Sequence, residues 1–252
     1  MGTFGEIAQP QLARRDEVIT VRRREHIFYT AMAIAAIAVA ATGFSGTINR
    51  ELAGTGKLST LVHVHAAVAA TWLFLFLVQV RLIASSNVWF HRRLGAFGAT
   101  IAVGHVLIGY LTATAAAGRG FDLSGRSDPI GFMIFPLGDL LAFAILVSAA
   151  FSFRRHAAAH KRLMFLTVST TLGAPFTHFI AETPALAAIP NVIVPPLMIF
   201  WFGNAAFDRL ALGRFHPVSL WGGLALFVWG NLRAIVLQPS DAWHDFGSWL
   251  IG

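Results

Sequence analysis

Apolar residues run along this chain in blocks far longer than a soluble core element needs, with the polar residues gathered between them. A membrane-spanning helix needs ~20 mostly apolar residues. Seven blocks qualify, at about 26–46, 59–83, 92–117, 129–153, 161–186, 190–207 and 216–237. Gly54, Gly56, Gly118, Gly120, Pro129, Pro184 and Pro190 punctuate the short connections. The pattern predicts an all-α, polytopic membrane bundle of seven transmembrane helices over 26–237. A basic segment, 1–25, precedes it, and an amphipathic segment, 238–252, follows. Trp243 and Trp249 predict that this last piece lies at a membrane interface. Pro195-Pro196 predicts a kink in the sixth helix. The apolar run from Ile27 to Phe44 exceeds the core of a cleaved signal peptide, so the first helix is expected to stay uncleaved.

Composition agrees with an integral membrane protein. Only 12% of the 252 residues are charged and 56% are hydrophobic, against roughly 25% charged in soluble domains. There is no cysteine, which excludes disulfides and thiolate chemistry. The net charge of +7 does not call for nucleic acid, because the basic residues cluster at helix ends. With the N-terminus inside, every Lys and Arg falls on the inner side except Arg50, Lys57, Arg119, Arg126 and Arg233. The expectation is N-inside, C-outside, in a bacterial-type cytoplasmic (inner) membrane. Membrane lipid is the partner this implies. Further membrane subunits would join it if the buried polar residues serve assembly.

Ionisable groups inside apolar blocks are costly and rare, and each is a functional candidate. His63, His65, His105, Asp139, His178 and Glu182 are such groups. At ~1.5 Å rise per residue all six fall in the outer half of the bilayer. His178 and Glu182 share one helix face. The expectation is one site built from His105, Asp139, His178 and Glu182. His63 or His65 completes it, and these two lie about 200° apart on the helical wheel. A transition metal (iron or zinc) held by His65, His105, Asp139, His178 and Glu182 fits the residue types. So does haem b between two histidines on facing helices. A hydrogen-bonded network, a proton relay or a water-filled substrate pocket are the other readings. No HExxH is present, and Lys57 and Lys161, the only lysines, lie outside the seventh helix, which excludes a retinal Schiff base there. Asp208 and Arg209 are expected to form a local ion pair. Arg233 either faces the cluster or snorkels outward.

A weak repeat is present. His91-Arg92-Arg93-Leu94 opens the third helix and His160-Lys161-Arg162-Leu163 the fifth. Together with LVHVH at Leu61–His65, these motifs resemble the transmembrane b-type cytochromes that reduce iron or ascorbyl radical. They are also similar to bacterial membrane families carrying an HRxxG-like motif. The resemblance covers helices two to five and departs from the pattern at helix four, which has no histidine. It implies His91 and His160 as ligands of an inner haem, His63 or His65 as ligand of an outer one, and electron transfer as the activity. The rivals are a metal-dependent enzyme acting on a lipid-soluble substrate and a non-catalytic accessory subunit of a larger membrane complex.

Overall fold

The structure, a computed structural model, describes residues 4–123, 127–189 and 192–252, with side chains described at 16 and from 18 onward. Arg126 and Pro190, used above in the charge bias and as punctuation, lie outside the described residues. The described chain is helical throughout: α1 (Phe4–Gly43), α2 (Ser45–Leu52), α3 (Thr60–Ala84), α4 (Val88–Gly118), α5 (Pro129–Ser152) and α6 (Ala157–Thr170). Then come α7 (Gly173–Ala181), α8 (Pro184–Ala187), α9 (Val194–Leu212), α10 (Pro217–Leu232), a π-helical turn (Arg233–Leu237) and α11 (Asp241–Ile251).

Six stretches are long and apolar enough to cross a membrane: Val18–Gly43, α3, α4, α5, Ala157–Ala181 and Pro217–Leu237. Their surfaces are apolar as well. Leu107, Leu141 and Ile145, each near the middle of a span, are 59%, 52% and 60% exposed. Such side chains need hydrocarbon around them rather than water. The protein is therefore an all-α, multi-pass membrane protein whose spans contact lipid. The expected sixth span forms as α9, but it is not among these six. Its prolines together with Asn204, Asp208 and Arg209 lower its hydropathy.

Three other expectations change. The basic N-terminal stretch is not separate from the first span, because α1 runs unbroken from Phe4 to Gly43. Pro195 and Pro196 sit in the first turn of α9, where a missing N–H costs nothing, so no mid-helix kink arises. The expected fifth helix is broken instead. Its backbone tightens at Thr171 and Leu172, whose N–H groups donate to Val168 and Ser169 three residues back. Pro175 explains the break, since it cannot donate to the Thr171 carbonyl.

Neighbouring spans pack in sequence order, α3 on α4, α4 on α5 and α5 on α6, while α1 closes against α3 and α7, and α9 against α10 and α6. Small residues set the close approaches. A Cβ on Gly98 of α4 would lie 3.1 Å from Leu75, and one on Gly109 would lie 2.7 Å from Leu140. One apolar core joins Tyr29, Ala33, Phe165, Leu166, Leu172 and Trp201 across α1, α6 and α9. A second joins Trp72, Ala102, Phe143 and Val147 across α3, α4 and α5.

At the far end of the bundle α11 lies on α5 and α4. Trp243 donates its indole N–H to the Ile130 carbonyl at 2.8 Å, and His244 Nε2 meets Asp128 Oδ1 at 3.0 Å. The Ser240 carbonyl, first, and then Asp128 raise the His244 pKa above its ordinary value. A raised folded pKa gives stabilisation that is complete below the unfolded value and fades as pH climbs through the folded one. Docking of α11 is therefore expected to loosen as pH rises from about 6.5 through the raised value. Trp243 fluorescence should follow this loosening, and His244→Gln should flatten it.

Candidate functional site

Among the described residues no three His, Asp or Glu side chains come together to hold a metal ion. His63, His65, His105, Asp139, His178 and Glu182, the candidates for the outer site, have separate partners. His63 lies at the exposed end of α3, where its Nε2 meets Glu51 Oε1 at 2.9 Å. The same ring's Nδ1 lies 3.0 Å from the Ser59 carbonyl, so both ring nitrogens are engaged.

His65 points inward and stacks on His105 of α4, ring centroids 5.7 Å apart and planes 19° from parallel. His105 in turn meets the Phe143 ring edge-on at 4.7 Å. The Nδ1 atoms of both histidines are buried and without a hydrogen-bond partner. The α4 backbone runs close beside the pair: a Cβ on Gly109 would be 3.4 Å from His65 Cε1.

His178 and Glu182 do share a face at the end of α7, as expected. Thr47 of α2 bridges them, with its hydroxyl 3.3 Å from His178 Nδ1 and 3.4 Å from Glu182 Oε1. Arg50 Nη2 pairs with the same carboxylate oxygen at 2.8 Å. The rings of Phe44 and Phe121 flank His178. Arg50 neutralises the carboxylate, and the pair closes α2 over α7.

Asp139 has a different partner. Arg233, at the head of the π-helical turn, reaches back into the bundle and places Nη2 2.7 Å from Asp139 Oδ1. Its Nη1 donates to the Phe135 carbonyl at 2.6 Å, and the guanidinium lies over the Trp229 ring at 5.5 Å. Arg233 therefore faces inward and does not snorkel. The π turn is what allows this, since an extra residue in the turn re-aims the side chain. The carboxylate also adjoins the break in the fifth span: a Cβ on Gly173 would lie 2.6 Å from Asp139 Oδ2. Arg233's side chain is only 7% exposed, whereas Asp139's keeps 26%.

The deepest charges were not expected. Arg162 of α6 and Asp208 of α9 form a two-pronged ion pair, with Nε 2.9 Å from Oδ2 and Nη2 on Oδ1. Ser219 of α10 donates to the same carboxylate, and Asn204 donates to the Arg162 carbonyl at 3.3 Å. Arg162 is 1% exposed and Asp208 fully buried. The expected Asp208–Arg209 pair does not form, and Arg209 donates to the Gly213 carbonyl instead. Leu197, Trp201, Asn204, Ala205 and Asp208 continue one buried helical stripe, so Asp208 had to find a partner inside.

Between the two ion pairs α6 carries buried hydroxyls, at Thr167, Ser169 and Thr170, each donating to a carbonyl of its own helix. Arg162 and Gly173 are about 16 Å apart along this helix at ~1.5 Å per residue. Ser169 also donates across to the Phe200 carbonyl of α9 at 3.2 Å.

His160 Nδ1 is held 2.8 Å from the Ala150 carbonyl, which leaves Nε2 free, and His91 Nδ1 is buried without a partner. Comparison with protein-family models, curated proteins and solved structures finds no match.

Proposed function

We propose that this multi-pass membrane protein passes protons through its core, with Asp139 as the exchanging group. The observation that carries this is the Asp139–Arg233 pair beside the broken fifth span. Charges at such depth are costly, and broken spans are tolerated where they line a pathway. Arg162–Asp208 places a second buried ion pair on the same broken span. Arg233 pairs with the Asp139 carboxylate and would part from it when a proton arrives. The orientation belongs to this proposal too: N-inside and C-outside, in a cytoplasmic membrane, with α9 as a seventh crossing. The test is reconstitution into vesicles loaded with a pH-sensitive dye and clamped with valinomycin and potassium. An acid pulse should be dissipated faster than in protein-free vesicles, and an unchanged rate would sink the proposal.

A second reading, haem b with an electron-transfer role, is favoured by one observation. His160, oriented through Nδ1 by a backbone carbonyl, has the support that a ligating histidine requires. Haem bound there would supply a one-electron carrier, with His91 and His160 fixing its position. On this reading the protein, expressed with a haem precursor, shows a Soret band that His160→Ala removes. A flat spectrum would end it.

A further inference from the structure

The basic end of the bundle carries a groove of about 750 Å³ between α1 and the last turn of α3. Its head is lined by Arg22, Arg23, His26 and Arg81, and its floor continues along Ile27 to Ile34. No Asp or Glu lines it. Among the described residues none of these three arginines has a carboxylate within ion-pair distance, although Lys161, nearby in the fold, is neutralised by Glu25. The arginines are exposed and free to take an anion. From Arg22 to Ile34 is about 18 Å along α1 at ~1.5 Å per residue, which is slightly more than half of a ~30 Å hydrocarbon core. Cationic head and apolar floor thus follow each other at the depth where a lipid's phosphate gives way to its acyl chain.

We infer that this groove binds one anionic phospholipid, with its headgroup phosphate on Arg22, Arg23 and Arg81 and one acyl chain along Ile27 and Ile34. The site is independent of the proton track, since none of its residues belongs to either ion pair. Charge complementarity selects the occupant. A zwitterionic lipid brings its own cation to a place already occupied by three. Basic pockets of this kind between spanning helices are the usual anionic-lipid sites, with each Arg contributing measurably to binding.

The test compares thermal unfolding in detergent with added phosphatidylglycerol or phosphatidylcholine, alongside native mass spectrometry of the same samples. Phosphatidylglycerol should raise the melting temperature above the phosphatidylcholine value, and one lipid should remain bound. Arg22→Gln/Arg23→Gln/Arg81→Gln should abolish that difference. Arg154→Gln/Arg155→Gln, basic residues outside the groove, should keep it. Arg81→Gln alone, at an exposed position, should weaken lipid retention about fivefold even if the triple variant does not fold. Equal stabilisation by both lipids would overturn the inference. So would full retention in Arg81→Gln, or an equal loss in Arg154→Gln/Arg155→Gln. Inorganic phosphate should have no effect; if it reproduces the stabilisation, the site takes a free anion and no lipid.

Discussion

Arg162→Ala is expected to cost about 3–5 kcal/mol and to leave little folded protein in detergent. The reason is asymmetry. Asp208 is fully buried, and its carboxylate receives two guanidinium contacts and the Ser219 hydroxyl. Removing Arg162 leaves that charge inside the bundle with one neutral donor. Because the pair joins α6 to α9 and α10, the loss falls on three elements at once. Asp208→Ala strands Arg162 in the same way. Arg162→Met combined with Asp208→Leu should recover most of the loss, since apolar replacements need no desolvation of charge. Thermal unfolding of the four proteins checks this: two low melting temperatures for the single variants and near-parental values for the double one. If the singles match the parent, the ion pair is not what holds these helices.

Arg233→Ala is expected to have the next largest effect, on both stability and proton movement. It removes the contacts to Asp139 and to the Phe135 carbonyl and empties the space beside Gly138. An unpaired carboxylate near mid-membrane costs about 3 kcal/mol. Asp139 would lower that cost by taking up a proton permanently, so the variant should fold with a reduced melting temperature and stop exchanging protons. Arg233→Lys should restore part of the stability, because the charge returns without the planar fork that also reaches Phe135.

Much of the fold is legible in the sequence because hydrocarbon thickness fixes span length and leaves little freedom. Five of the expected spans correspond to unbroken helical elements, and the break in the fifth is explained by Pro175, a residue in plain view. The sixth is harder to read, because α9 carries its polar residues on a buried stripe that pattern alone does not separate from a lipid-facing one. Depth along each helix is readable from residue counts, but direction around the axis is not. His65 and His105 meet because α3 and α4 form a hairpin, which their depth already implies. Asp139 and His178 have different partners, the first on the π-helical turn and the second on α2. Their partners, Arg233 for Asp139 and Thr47 for His178, come from distant segments that no local spacing reveals. Arg162 is hidden for another reason: its neighbours in HKRL suggest an interfacial charge cluster, whereas its own position on the helix faces the core.

Asp139 and Arg233 either move protons or merely join helices. The most direct measurement is proton flux through vesicles containing Asp139→Asn/Arg233→Gln. This double variant keeps hydrogen-bonding groups of similar shape at both positions and carries no unpaired charge, so it should fold with a melting temperature close to the parent's. If the pair is the pathway, that folded protein dissipates an acid pulse no faster than empty vesicles. Flux at the parental rate would show that the pair is scaffold, and would contradict the proposal.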